Sequence, residues 1–151
     1  MKKITSYYRL KDNRVTEFCG TVGVSYPKFF KMDRLCKAGF LASEMVFRSL
    51  GEDPQTPKHD TALVFMNSSS SLDNDMDYQT TILPGNYYPS PALFVYTLAN
   101  IVTGEVAIQN KIFGETSFYI SSGFSAKELI ITAEGALDGK GKRRVLCGWT
   151  E

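Results

Sequence analysis

The strongest periodicity in the chain runs over residues 33–50. Met32, Leu35, Cys36, Gly39, Phe40, Val46, Phe47 and Leu50 recur at helical spacing on one face, with Asp33, Arg34, Lys37, Glu44 and Arg48 on the other. Gly51 supplies the stop, and Pro54 enforces it. Residues 61–67 (Thr-Ala-Leu-Val-Phe-Met-Asn) form instead a short continuous apolar run, the pattern of a strand covered on both faces. Upstream, residues 4–10 and 15–24 read as two strands of a hairpin joined by the Lys11-Asp12-Asn13-Arg14 turn, followed by an aromatic connector containing Pro27. Downstream, residues 68–90 are polar, with four consecutive serines, three aspartates and Pro84-Gly85, and are expected to be a long functional or interfacial loop. Residues 91–109 read as a helix opened by Pro91 and loosened at Gly104. Residues 113–120 read as a strand, 125–137 as a helix stopped by Asp138-Gly139, and 144–150 as a last strand. Helices alternating with strands imply an α/β sheet with parallel crossovers and one domain over residues 1–151.

Composition narrows the class. With 151 residues the chain is long enough for one domain with its own core, and 43% apolar with 22% charged residues disfavours disorder. A net charge of +1 argues against nucleic acid as the main partner. No apolar run reaches the length of a membrane span, and the N-terminus turns polar too early for a secretory signal, so a cytoplasmic location is expected. Cys19, Cys36 and Cys147 are widely spaced, odd in number and without a CxxC pair, which reads as small buried residues rather than disulfides or a zinc site. No cofactor and no metal are expected. Asp73-Asn74-Asp75-Met76-Asp77 begins like a calcium loop, but Tyr78 stands where the glycine belongs and Pro84 where the bidentate glutamate belongs.

The most informative chemistry lies at residues 114–126, Gly-Glu-Thr-Ser-Phe-Tyr-Ile-Ser-Ser-Gly-Phe-Ser-Ala, which read as strand, tight small-residue turn and helix start. Backbone N–H groups at a helix start carry partial positive charge and hold a carbonyl oxygen or an anion, and Ser121, Ser122 and Ser125 add hydroxyls. The plainer alternative is a capped turn in which the serines serve only the backbone. A serine nucleophile would need a base, and none is near in sequence. His59, the sole histidine, lies in a polar proline-rich connector and is expected in solvent. Two further candidates are the basic turn Lys140-Gly141-Lys142-Arg143-Arg144, as a docking patch or a solvated run, and the aromatics Tyr87, Tyr88, Phe94 and Tyr96, as an acyl channel, core or interface.

An ordered series of segments resembles the N-terminal half of a β-ketoacyl synthase, a condensing enzyme of thiolase-like fold. Tyr96-Thr97-Leu98-Ala99-Asn100 is similar to the family's asparagine-bearing helix. Gly104-Glu105-Val106-Ala107-Ile108 and Phe113-Gly114-Glu115 resemble its next helix and the turn into the nucleophile strand. Ser121-Ser122-Gly123-Phe124-Ser125-Ala126 is similar to the family's Thr-Ala-Cys-Ser-Ser pattern without a gap, and residues 145–151 to its closing glycine-containing strand. Upstream, residues 65–73 stand in the place of its strand and small-residue loop, and residues 26–33 resemble short bacterial ketosynthase-like proteins.

The resemblance implies an α/β fold, half of a thiolase-like architecture, with a mixed, mostly parallel sheet of about five strands and helices packed on it. It places Gly123 where the family has its cysteine. Glycine cannot accept an acyl group, so no catalytic residue is expected and Ser121, Ser122, Gly123, Phe124 and Ser125 are the candidate substrate-binding residues. The implied partners are an acyl carrier protein or a partner ketosynthase subunit, with homo- or heterodimerisation through Thr116–Ile120. In the family the helix at 125–137 is buried between two halves. Here Ala126, Leu129, Ile130, Ala133 and Leu137 share a face while Lys127 and Glu134 oppose them, so one side is expected to be wet. The implied function is accessory, in fatty-acid or polyketide-type synthesis. An acyltransferase or decarboxylase component completed by a partner, and a purely structural interaction module, are the alternatives.

Overall fold

The computed structural model describes residues 3–10, 23, 25–137 and 143–151. A 3-10 turn, Pro27–Lys31, leads into helix α1, Arg34–Ser49. Asp33 caps α1 by accepting from the Cys36 amide at 3.0 Å. At the other end Gly51 sits at φ +67°, its amide on the Arg48 carbonyl and the Glu52 amide on Phe47, so a left-handed residue closes the helix. Strand β1 spans Thr61–Asn67, with every residue buried.

The segment expected as loop carries regular structure: helix α2, Leu72–Gln79, and a hairpin of β2, Ile82–Leu83, and β3, Asn86–Tyr87. Asp73 and Asp75 occupy the first turn of α2, where negative charge favours the helix end, so the would-be calcium loop is a helix start. The helix expected over residues 91–109 is two: α3, Pro91–Val95, capped by Ser90, and α4, Ile101–Gln109. Gly104 has open space around it and lies within α4, with no close backbone approach. Strand β4, Thr116–Ile120, helix α5, Ala126–Leu137, and strand β5, Arg144–Trp149, complete the order.

The main sheet is parallel, in the order β4-β1-β5. Leu63 pairs with Thr116 and Leu146, and Asn67 with Ile120. Among the described residues this sheet has three strands, where about five were expected. Residues 4–10 form no strand, and residues 15–24 lie outside the described residues except Gly23.

Alternation along β1 assigns the two faces. Leu63 and Phe65 join Phe29, Phe40, Phe47, Val102 and Val106 beneath α1 and α4, whereas Ala62 and Val64 form a smaller cluster with Ala136 of α5, with Val145 and Cys147 at the margin. One layer is thick and aromatic, the other thin. α1 and α4 approach closely: a Cβ on Gly39 would lie 2.5 Å from Val102 Cγ2.

Periodicity places Glu44 on the outer face of α1, yet it is 4% exposed and accepts from Asn110 Nδ2 at 2.7 Å. Burial pushes its carboxyl up, partly opposed by that hydrogen bond and by Arg48 and Lys58. Glu105 is buried too, accepting from the Tyr26 hydroxyl, and burial followed by that bond drives the Tyr26 phenol upward. At the amino edge of the sheet, Lys58 is 3% exposed, and its ammonium donates to the carbonyls of Asp53, Thr56 and Asn110 at 2.9, 3.0 and 3.0 Å. Burial draws its pKa down and the Glu52 carboxylate opposes the shift. Three carbonyls use its three hydrogens.

Candidate functional site at the carboxyl edge of the sheet

Parallel strands deliver their carboxyl ends to one edge, the usual ligand side of an open α/β sheet. Here that edge gathers Asn67 and the serines after β1, residues 121–125 after β4, and Thr150-Glu151 after β5.

The serine loop is built by its own side chains. Asn67, fully buried, accepts from the Ser70 amide at 3.0 Å and donates to the Ser70 carbonyl at 2.7 Å, holding Ser70 at φ +56°. Ser71 Oγ donates to the Thr97 carbonyl at 2.6 Å. Glu151 accepts from the Ser68 amide at 2.9 Å, from Ser68 Oγ at 2.8 Å and from Ser69 Oγ. Burial alone would raise the Glu151 carboxyl; the hydrogen bonds from Ser69 and Ser68 outweigh it and hold the group below the usual range.

The second turn follows β4. The Ser121 amide donates to the Asn67 carbonyl at 2.9 Å, continuing the ladder one residue past the strand. Ser125 opens α5: its Oγ accepts from the Glu128 amide at 3.2 Å and its carbonyl from the Leu129 amide at 3.0 Å. The Glu128 carboxylate reaches back to accept from Ser121 Oγ at 2.8 Å. Ser125-Ala126-Lys127-Glu128 is a Ser-x-x-Glu capping motif, a signal that the sequence displays and that pattern reading of the turn leaves out. Two of the three serines therefore serve the backbone and Glu128, and a carboxylate already complements the positive end of α5. That arrangement favours a neutral hydrogen-bonding group over a free anion at this turn.

Ser122 and Phe124 are exposed, with Phe124 edge-on to Trp149 at 5.7 Å. Gly123 is partly exposed and outside the left-handed region, and no heavy atom lies within 4 Å of where its Cβ would be. Neither backbone conformation nor packing requires glycine at this apex.

The structure brings Ser121, Ser122, Gly123, Phe124 and Ser125 to the same edge as the Ser68–Ser69 loop, whose tie to Glu151 the sequence does not announce. His59 is exposed and stacked on Phe113 at 5.0 Å. Arg144 donates to Thr61 Oγ1 at 2.7 Å and pairs with Glu52, so the basic turn begins β5 at the amino edge, the far end of the sheet from Gly123. Residues 140–142 of that turn lie outside the described residues. The aromatics divide: Tyr96 is buried beside the main core, while Tyr87, Tyr88 and Phe94 are exposed. On α5 only Ala133 and Ala136 are buried; Ile130 and Ala126, expected on the packed face, are exposed, Ile130 at 46%, and Ile131 is 58% exposed, so the face expected to be packed is buried only in part.

Among the described residues no group of three or more His, Cys, Asp or Glu is placed to hold a metal ion, and no helix is long and apolar enough to cross a membrane.

No family profile and no curated protein matches the chain. Among solved structures it is similar to one described as the ishigamide ketosynthase/chain length factor. The TM-score is 0.50 and the identity 17%, over 74% of this chain and 40% of that one. The likeness shows the fold: an α/β half of a thiolase-like, ketosynthase-like architecture.

Proposed function

We propose that the chain is a ketosynthase-like accessory protein of fatty-acid or polyketide-type biosynthesis, without condensing activity of its own, that binds an acyl carrier protein or a partner synthase subunit. One observation carries this reading. The apex of the turn after β4, where the resembled family places its nucleophile, is Gly123, and nothing in its φ or surroundings demands glycine. A side chain has room there and is absent, which separates loss of the reacting atom from loss of the frame around it.

The frame supports binding without turnover. Ser122 stands outside the capping network drawn by Ser121, Ser125 and Glu128, and the exposed Phe124 ring beside Trp149 offers an apolar contact. Partnership is supported by the exposed apolar side chains Ile130 and Ile131 on α5, and by β4, which lies at the edge of the sheet among the described residues and carries exposed Tyr119 and Ile120. Pairing along Thr116–Ile120 with a second copy or a related subunit would satisfy the open edge.

The test is incubation of the purified chain, alone and with co-purified partners, with acetyl- and malonyl-loaded carrier protein. Binding without acylation or decarboxylation is expected. Release of carbon dioxide or a covalent acyl adduct would place the protein among enzymes completed by a partner. Loss of both binding and turnover would leave an interaction module only.

A further inference from the structure

The segment between β1 and α4 holds α2, the β2–β3 hairpin and α3, and differs in charge from the rest of the chain. Residues 68–100 contain three aspartates and no Lys, Arg or His; all 17 basic residues lie elsewhere. Asp73 and Asp77 are exposed on α2, while Asp75 takes the Ser71 hydroxyl at 3.2 Å. The same segment exposes large apolar side chains, including Met76 at 64% and Phe94 at 56%.

Between the end of α2 and the start of α3 lies an apolar groove of about 230 Å³, walled by Tyr78, Pro89, Pro91 and Phe94. The Tyr78 and Phe94 rings sit 5.4 Å apart. The groove is smaller than a typical small-molecule pocket but of a size to take one large side chain. Hydrogen bonds tie the backbone around it: Asn74 Nδ2 donates to the Leu93 carbonyl at 2.8 Å, the Tyr88 amide to the Thr81 carbonyl at 2.8 Å, and Ser90 caps α3.

We propose that this face docks a basic amphipathic segment of a partner protein, with one large apolar side chain seated in the groove against the touching Tyr78 and Phe94 rings and Lys or Arg residues lying toward Asp73 and Asp77. Charge decides the occupant. An apolar anchor alone would accept any partner, but the exposed Asp73 and Asp77 carboxylates, on the helix that also carries Tyr78 and in a segment without a basic residue, attract a cationic one and repel a polyacidic one. The surface therefore suits a partner other than an acidic carrier protein, and the inference stands whether or not the chain handles acyl groups.

Fluorescence anisotropy on the full chain tests this with a labelled amphipathic Leu/Lys helical peptide and its Leu/Glu counterpart. The Leu/Lys peptide is expected to bind, more weakly as salt rises, and the Leu/Glu peptide to fail. Phe94→Ala should weaken binding on the order of tenfold while leaving the thermal unfolding curve in place, since the ring is exposed. Asp73→Asn with Asp77→Asn should weaken binding and flatten its salt dependence. Equal binding of both peptides, or indifference to Phe94→Ala, overturns the proposal. Self-association that Phe94→Ala abolishes, with no peptide binding, overturns it in favour of a contact between copies of this chain.

Discussion

Asn110 donates to Glu44 across the α1–α4 contact at 2.7 Å, and both side chains are buried. Because burial raises the Glu44 carboxyl, the folded state holds its proton to higher pH than the unfolded chain does. Ionisation therefore costs stability as pH climbs from the ordinary glutamate range, about 4.3, through the raised folded value. Glu44→Gln keeps an oxygen for Asn110 and removes the charge. It should stabilise the protein at neutral pH by on the order of 1 kcal/mol in urea titrations, with the gain vanishing in acid. Asn110→Leu should destabilise at all pH values by leaving Glu44 without its donor.

Gly39 is where α1 meets α4. Placing a methyl group 2.5 Å from Val102 Cγ2 forces the helices apart, so Gly39→Ala should destabilise by roughly 1–3 kcal/mol despite alanine's better helix propensity. Val102→Ala in the same chain should recover part of that loss. A double-mutant cycle with no coupling between the two sites would contradict the close approach.

Gly123→Cys should fold with stability within about 0.5 kcal/mol of the parent, because the new side chain enters open space. Burial pushes both the Cys36 and Cys147 thiols up, so neither competes strongly for alkylating reagents. Native-state thiol titration should therefore find one additional reactive group in the variant. A poorly reactive introduced thiol, or an unfolded variant, would show that the apex is more confined than its geometry indicates.

The clamp between Glu151 and the Ser68–Ser69 loop should respond to acid. Its carboxyl is held low in the folded state, so the clamp is complete above the ordinary glutamate pKa and is lost as pH falls through the lowered folded value. Glu151→Gln should speed hydrogen exchange at the Ser68 amide at neutral pH and leave exchange within β1 unchanged.

Legibility in the sequence follows chemical simplicity. β1 can be read to its ends because seven consecutive residues are buried on both faces, and α1 because its apolar stripe and Gly51 agree. α2 is hidden by composition: Leu72-Asp73-Asn74-Asp75-Met76-Asp77 is polar enough to look like loop, yet its aspartates favour a helix start. Glu44, Lys58, Glu105 and Asn110 escape sequence reading for a shared reason. Periodicity assigns polar residues to water, and each of these is buried against a partner distant in sequence. At the candidate site, the glycine apex can be read directly. The Ser125–Glu128 cap is present as a local motif, while the Glu151 clamp joins residues more than eighty positions apart and leaves no local trace.

The unequal thickness of the two layers sets an order of release. α5 rests on β1 and β5 through small side chains, Ala62, Val64 and Ala136 with Val145 and Cys147, whereas α1 and α4 cover the opposite side with a largely aromatic cluster. Gentle denaturation should therefore peel the C-terminal helix away while the remainder holds. The glycine bend leads directly into that helix, so a ligand held there should also steady it.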